Sequence, residues 1–322
     1  MKTSTKIWLI TAAALVLLGC IIFGVVMMML NWNFSLLSTH SYETNRHVLT
    51  EAFDSIAIIT DTADISLVRG DTAETVVECR EQTNLKHEVS VKDGVLTIEI
   101  KDTRRWYEHI GIGIGDLRIT ITLPAEAYAS LSVKSSTGHI DVPAGIAFTD
   151  VDISESTGDV RFAASVENSL RIKASTGDIR VEDVSVGALE LSVSTGDITV
   201  SDVTCAGDTT LRVSTGKTVL SELTCQSLQS TGNTGDITLQ SVVATNKITI
   251  ERSTGQVKLE ASDAAELSIR TDTGDVKGTL LSDKIFIVRT DTGDIDVPST
   301  VTGGKCEITT DTGDIRIRIQ AE

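Results

Sequence analysis

Ten of the chain's Thr-Gly pairs recur in step: their glycines, Gly138, Gly158, Gly177, Gly196, Gly216, Gly235, Gly255, Gly274, Gly293 and Gly313, are always 19 or 20 residues apart. A repeat of that length is one coil that cannot bury its apolar side alone, so coils must stack. The spacing therefore commits most of the chain to a solenoid.

Alignment on the glycine shows what each coil is made of. Two residues after it stand Ile140, Val160, Ile179, Ile198, Ile237, Val257, Val276, Ile295 and Ile315, and four after it Val142, Phe162, Val181, Val200, Leu220, Leu239, Leu259, Val297 and Ile317. The intervening positions are mostly polar, as at Arg161, Arg180, Thr199, Lys258, Lys277 and Arg316. Before the glycine, Val133, Ile153, Ile172, Leu191, Leu211, Ile250, Ile269 and Ile308 alternate in the same way. A period of two means strands with one buried face, and β-branched residues suit that surface. Each rung is read as strand, Thr-Gly turn, strand, connection. The expected fold is all-β: a single-stranded β-solenoid, or β-helix, of about ten to twelve rungs of 19–20 residues, preceded by one N-terminal transmembrane helix.

That helix is read over residues 7–30, which carry no charge and span about 36 Å at ~1.5 Å per residue. Lys2 and Lys6 precede it and no Lys or Arg follows before Arg46, which places residues 1–6 in the cytoplasm and the remainder outside. The run is too long for the apolar core of a cleaved signal peptide. Leu17, Leu18, Gly19 and Cys20 resemble a lipoprotein processing site, so lipidation of Cys20 stays open. Residues 31–50 show neither period and read as a tether; residues 51–130 read as an opening β section; residues 131–322 are the regular repeats. Within the opening section, Ala63 stands where a rung's glycine would, with Ile65 and Leu67 as its inward pair, and Asp93-Gly94 turns a hairpin.

The stretch from Leu117 through Pro124 to Ile140, with the Ser-Thr-Gly-Asp-Ile that follows it repeatedly, resembles a bacterial adhesin-like family of β-strand repeats, domain of unknown function 4097. The resemblance runs from about residue 50 to the last residue. It implies a β-solenoid on cell-envelope proteins, often membrane-anchored and in some cases tied to envelope stress, and carries over no catalytic residue. His139, Lys217 and Gln256 depart from the pattern, because each replaces the usual Asp after the glycine.

That Asp, present at Asp159, Asp178, Asp197, Asp236, Asp275, Asp294 and Asp314, has two readings. In the first its carboxylate bonds free backbone groups at a tight turn. In the second, Asp272 with Asp275, Asp291 with Asp294 and Asp311 with Asp314 hold a hard cation, Ca²⁺, over three consecutive rungs. No other cofactor is expected. Arg104, Arg105, Trp106 and Tyr107 form the one basic-aromatic cluster, suited either to an interaction patch or to packing over the open end. Cys205 and Cys225 each lie nine after a glycine, stacked for a disulfide or simply as two small residues; Cys306 falls in an inward column as apolar filler. Asp-Thr-Gly also belongs to aspartic proteases, but here it recurs three times at solenoid turns, and the five histidines show no metal-ligand spacing. The last strand, Ile315 to Ile319, is expected to leave an open edge guarded by Arg316 and Arg318.

The net charge of −17 argues against nucleic acid as a partner. The reading is a non-catalytic envelope protein, anchored in the membrane by its own helix, that displays a rigid rod to an envelope protein or glycan. The alternatives are a β-helix enzyme acting on polysaccharide and a Ca²⁺-stabilised spacer. An enzyme needs a cleft where unlike residues break the repeat, whereas these connections are short and regular.

Overall fold

Alternating apolar residues on both sides of the Thr-Gly pairs bury into one continuous column up to the terminal rung, and the coils that carry them stack in parallel. The computed structural model describes residues 3–32, 41–71, 73–102, 116–124 and 126–320. It has one helix, α1 (Thr3–Met29), followed by 24 strands among the described residues. The segment Thr5–Met29 has a mean hydropathy of 2.8, long and apolar enough to cross a membrane.

The opening section comprises β1 (Tyr42–Leu49), β2 (Ser55–Thr62), β3 (Asp64–Arg69), β4 (Thr75–Gln82), β5 (Leu85–Lys92), β6 (Val95–Asp102) and β7 (Arg118–Leu123). β2 and β3 are the worn rung: β2 pairs in parallel with the following β8 (Ala127–Thr137), and Ile65 on β3 lies beside Ile140. On its other side β6 and β7 add one more parallel rung. β4 then runs antiparallel to β7, β1 antiparallel to β4, and β5 antiparallel to β6 through the hairpin at Asp93 and Gly94. Residues 42–49 are thus no tether. Apolar and polar residues alternate too weakly there to announce a strand, yet β1 lends its backbone to the otherwise open edge of β4 over eight paired positions.

Along the rod, Ile140, Val160, Ile179, Ile198, Ile237, Val257, Val276 and Ile315 are at most 1% exposed, as the inward column requires. The connection expected between strands is itself a third side of the coil. Ile179–Thr195, for example, is a single 17-residue strand that bends at Asp183, whose φ is 56°. The same left-handed corner recurs at Asp202, Glu222, Ser241 and Ala261. Behind it lie buried Val184 and Val186, Val203 and Cys205, Leu223 and Cys225, then Val242 and Ala244. Two polar breaks in the inward columns, Thr218 and Ser230, share one cause: the buried guanidinium of Arg252 fills the notch over Gly232 and donates to Ser230 Oγ (2.8 Å) and Thr218 Oγ1 (3.2 Å). Burial pushes its pKa down to about 10.

At the C-terminal end the stacking order departs from chain order. The strand Gly304–Thr312 pairs with Leu267–Thr273 on one side and with Lys284–Thr292 on the other. Likewise Ile315–Ile319 lies between Val276–Leu280 and Ile295–Asp296. The rung 304–319 is therefore inserted beneath the rung 284–297, and the open edge belongs to the latter. Ile295 is 45% exposed while Ile315 is fully buried. The reason is that the three rungs share one corner, Thr-Asp-Thr-Gly-Asp, so each presents the same columns and backbone spacing to either neighbour. Twelve parallel rungs at about 4.8 Å make a rod of roughly 55–60 Å.

Candidate functional site

At each Thr-Gly corner that has a further rung above it, the glycine N–H donates to the threonine carbonyl of that rung, as from Gly158 to Thr176 O at 2.9 Å. The residue after the glycine completes the corner. Asp178 N–H donates to Asp159 Oδ1 (2.9 Å), Asp197 N–H to Asp178 Oδ1 (2.8 Å), Lys217 N–H to Asp197 Oδ1 (2.7 Å) and Gln256 N–H to Asp236 Oδ1 (2.8 Å). His139 joins the same ladder: its N–H donates to Asp64 Oδ1 (2.9 Å) and its Nδ1 accepts from Asp159 N–H (3.2 Å). Each Asp thus caps the backbone of its neighbour, a charge-assisted bond that an exposed corner would otherwise leave to water.

Of the six C-terminal carboxylates, the structure brings Asp275, Asp314 and Asp294 together in that order. Asp275 Oδ1 accepts from Asp314 N–H (2.8 Å) and Asp314 Oδ1 from Asp294 N–H (2.9 Å). Their second oxygens are engaged as well, Asp275 with Lys277 Nζ (2.6 Å) and Asp314 with Arg316 (2.8 Å). Hydrogen bonding to Lys277, then to Asp314 N–H, holds the Asp275 carboxyl below its usual range. Asp272 faces Arg270 at 3.7 Å and Asp291 pairs with Arg289 at 2.9 Å, while Asp311 is exposed. This is a ladder of capped and paired carboxylates, with the ordering 275–314–294 replacing the sequential one. Arg104, Arg105, Trp106 and Tyr107 lie outside the described residues.

All five cysteines are free thiols in this structure. Thr204 lies in register with Thr224, which sets Cys205 and Cys225 on neighbouring rungs of the third side. Burial, then the neighbouring Cys205, pushes the Cys225 thiol up to about 12. Cys306 is the expected filler, fully buried and likewise raised by burial to about 12.

The constellation that spacing did not disclose is in the opening section. Cys79 and Glu81 share the inner face of β4, and His87 reaches them from β5 across a tight hairpin. Glu81 Oε2 accepts from His87 N–H (2.6 Å) and stands 2.8 Å from His87 Nδ1. Asn45 Nδ2 donates to Glu81 Oε1 (2.8 Å), and Thr60 Oγ1 bonds His87 Nε2 (2.9 Å). Burial pushes the Glu81 carboxyl up, but hydrogen bonds from His87 and Asn45 outweigh it and hold the group below its usual range. Burial, reinforced by Glu81, pushes the Cys79 thiol up to about 12. The three residues lie eight apart in sequence at most, yet the antiparallel excursion that gathers them breaks the 19–20-residue period on which alignment depends.

A shallow groove of about 420 Å³ also follows the corner between the third side and the next strand, over Tyr128, Phe148, Val166 and Val186. Phe53, Tyr128 and Phe148 stack beside it on three successive rungs, with ring centroids 5.7 and 6.0 Å apart.

Several solved structures are similar to this chain. A "putative lipid binding protein" from Parabacteroides distasonis is 15% identical, with a TM-score of 0.46 over 87% of this chain and 98% of that one. A "putative adhesin" from Bacteroides fragilis is 14% identical, with a TM-score of 0.42 over 86% and 97%. Another "putative adhesin", from Parabacteroides merdae, is 13% identical, with a TM-score of 0.41 over 87% and 98%. No curated protein sequence matches. The family profile described as Toastrack DUF4097 matches residues 53–216 and 207–322, nearly everything beyond the apolar helix and β1, and the chain belongs to that family.

Proposed function

We propose that the chain is a non-catalytic cell-envelope protein that α1 anchors in the membrane, N-terminus inside, with the solenoid held outside as a rigid surface for contacts with an envelope protein or glycan. The observation that carries this reading is the union of one bilayer-length apolar helix with a rod whose outward positions are regular ladders of charge. Arg171 and Arg212, for instance, both reach Glu190, at 2.8 and 3.2 Å. Such a rod offers a long, stiff contact face on its sides, and among the described residues none of the corners gathers unlike residues into a catalytic cleft.

Two measurements test it. Val301 is 87% exposed, so a Val301→Cys chain should react with a membrane-impermeant maleimide on intact spheroplasts. Labelling that needs permeabilised cells overturns the orientation. The full chain in nanodiscs should bind isolated envelope glycan or envelope membranes saturably, and more weakly when Arg171 and Arg212 are reversed to Glu. Release of reducing sugar ends from that glycan, in proportion to protein, would instead make the chain an enzyme.

A further inference from the structure

The side chains of Cys79, Glu81 and His87 present a sulfur, a carboxylate oxygen and a ring nitrogen within 4.8 Å of one another, all three residues buried. Their surroundings orient them. Thr60 Oγ1 holds the far nitrogen of His87, and Asn45 holds the far oxygen of Glu81, so Nδ1, Oε2 and Sγ are the atoms left to converge. Partners on the outer atoms of a ligating imidazole and carboxylate are the second shell that metal sites require. Cys79 makes no hydrogen bond among the described residues, so hydrogen bonding accounts for Glu81 and His87 but not for the third member.

We propose that this cluster is a structural zinc site. Thiolate, imidazole and carboxylate are the donors Zn²⁺ takes in tetrahedral geometry, and the soft sulfur disfavours Ca²⁺ or Mg²⁺. Charge supports it: one thiolate and one carboxylate neutralise Zn²⁺, and the interior then holds no net charge. The thiol proton leaves as the metal enters, and the imidazole ligates through Nδ1 as the neutral tautomer with its hydrogen on Nε2, where Thr60 Oγ1 accepts it. The nearest candidate for the fourth corner is His47, which stands outside the 4.8 Å group and would have to swing toward it to ligate. It lies on the inner face of β1, with Asn45 opposite Cys79 and His47 opposite Val77, hence diagonal to Cys79 at a separation long side chains bridge. Its Nε2 is buried with no hydrogen-bond partner. The metal would tie β1, β4 and β5 together where the rod has no further rung to lean on.

The test uses the full chain in detergent, stripped with a chelator and titrated with Co²⁺ and then Zn²⁺. One metal per chain is expected, with tetrahedral cobalt bands and a near-ultraviolet thiolate-to-cobalt band that Zn²⁺ abolishes. The thiolate band should persist in a Cys205→Ser/Cys225→Ser chain and vanish in Cys79→Ser, while His47→Ala should weaken binding at least tenfold. A wild-type chain that binds no stoichiometric metal, or binds cobalt without a thiolate band, overturns the proposal whatever the variants do. So does a Cys79→Ser chain that binds as tightly as wild type.

Discussion

Replacing Gly235 with alanine tests how the corners are built. Gly235 has φ of 134°, and a Cβ there would stand 1.9 Å from Gly216 O and 2.6 Å from its carbonyl carbon. Both neighbours are backbone, so no rotamer change relieves the contact and the two rungs must part at that corner. The disfavoured φ costs about 1–2 kcal/mol. Parting the rungs weakens the bonds from Gly216 N–H to Thr234 O and from Thr218 N–H to Asp236 O, each 2.9 Å and each worth about 1 kcal/mol. The expected loss is roughly 3–4 kcal/mol. Gly145 is the control: its φ is 85°, but a Cβ there meets only the flexible Arg69 side chain, at 3.5 Å, so alanine should cost about 1 kcal/mol. Guanidinium unfolding of the full chain in detergent, followed by circular dichroism, reads the difference. Amide exchange should show the added opening concentrated at the rungs flanking residue 235. If Gly235→Ala and Gly145→Ala agree within about 0.5 kcal/mol, the close approach of successive corners does not govern stability and the reasoning fails.

The inserted rung predicts that Ile315→Ala, at a fully buried site, costs about 2–4 kcal/mol, whereas Ile295→Ala, 45% exposed, costs under about 1; equal losses in a thermal melt would restore sequential stacking. Asp275, held below the ordinary aspartate value of 3.8, stabilises the fold above that pH and loses this contribution as pH falls through its folded pKa. Asp275→Asn should therefore flatten the acid limb of stability against pH, and an unchanged limb would contradict the ladder. Glu155 is the opposite case: burial raises its carboxyl, and Oε2 has no partner, so stability declines as pH rises from 4.5 through the folded value. Glu155→Gln should raise the melting temperature at neutral pH and leave it nearly unchanged in acid. Millimolar Ca²⁺ should not shift the melt, because Asp275 and Asp314 already spend both oxygens on backbone and cationic partners; a shift lost on changing those two to Asn would reinstate the cation site.

The columns around each glycine were legible because a two-residue period and a 19–20-residue period reinforce each other over ten copies. Ala63 could be placed by that register alone, and it lies beneath Gly138 as expected. The third side was missed because its inward residues, such as Cys205, Cys225 and Ala244, are small and follow a left-handed corner held by Asp183, Asp202 or Glu222, none of which announces a turn as glycine does. β1 escaped because its role is to cover an edge, which asks for backbone and not for apolar side chains. Stacking order escaped for a different reason: identical corners at Gly274, Gly293 and Gly313 make the permutations alike in sequence. The Cys79–Glu81–His87 cluster depends on antiparallel pairing, which a repeat alignment does not describe.

The inserted rung separates the order of synthesis from the order of assembly. A solenoid that grows by addition can seat each coil as it emerges, since the platform beneath is already complete. Here the coil 284–297 reaches its final seat only after residues 304–319 have been made and have laid themselves on Val276–Leu280. Until then the earlier coil can occupy the same platform with matching columns. If the end of the rod is finished by such an exchange of tenants, a chain cut after about residue 300 should still close with a well-formed coil, one storey shorter and in plain sequential order.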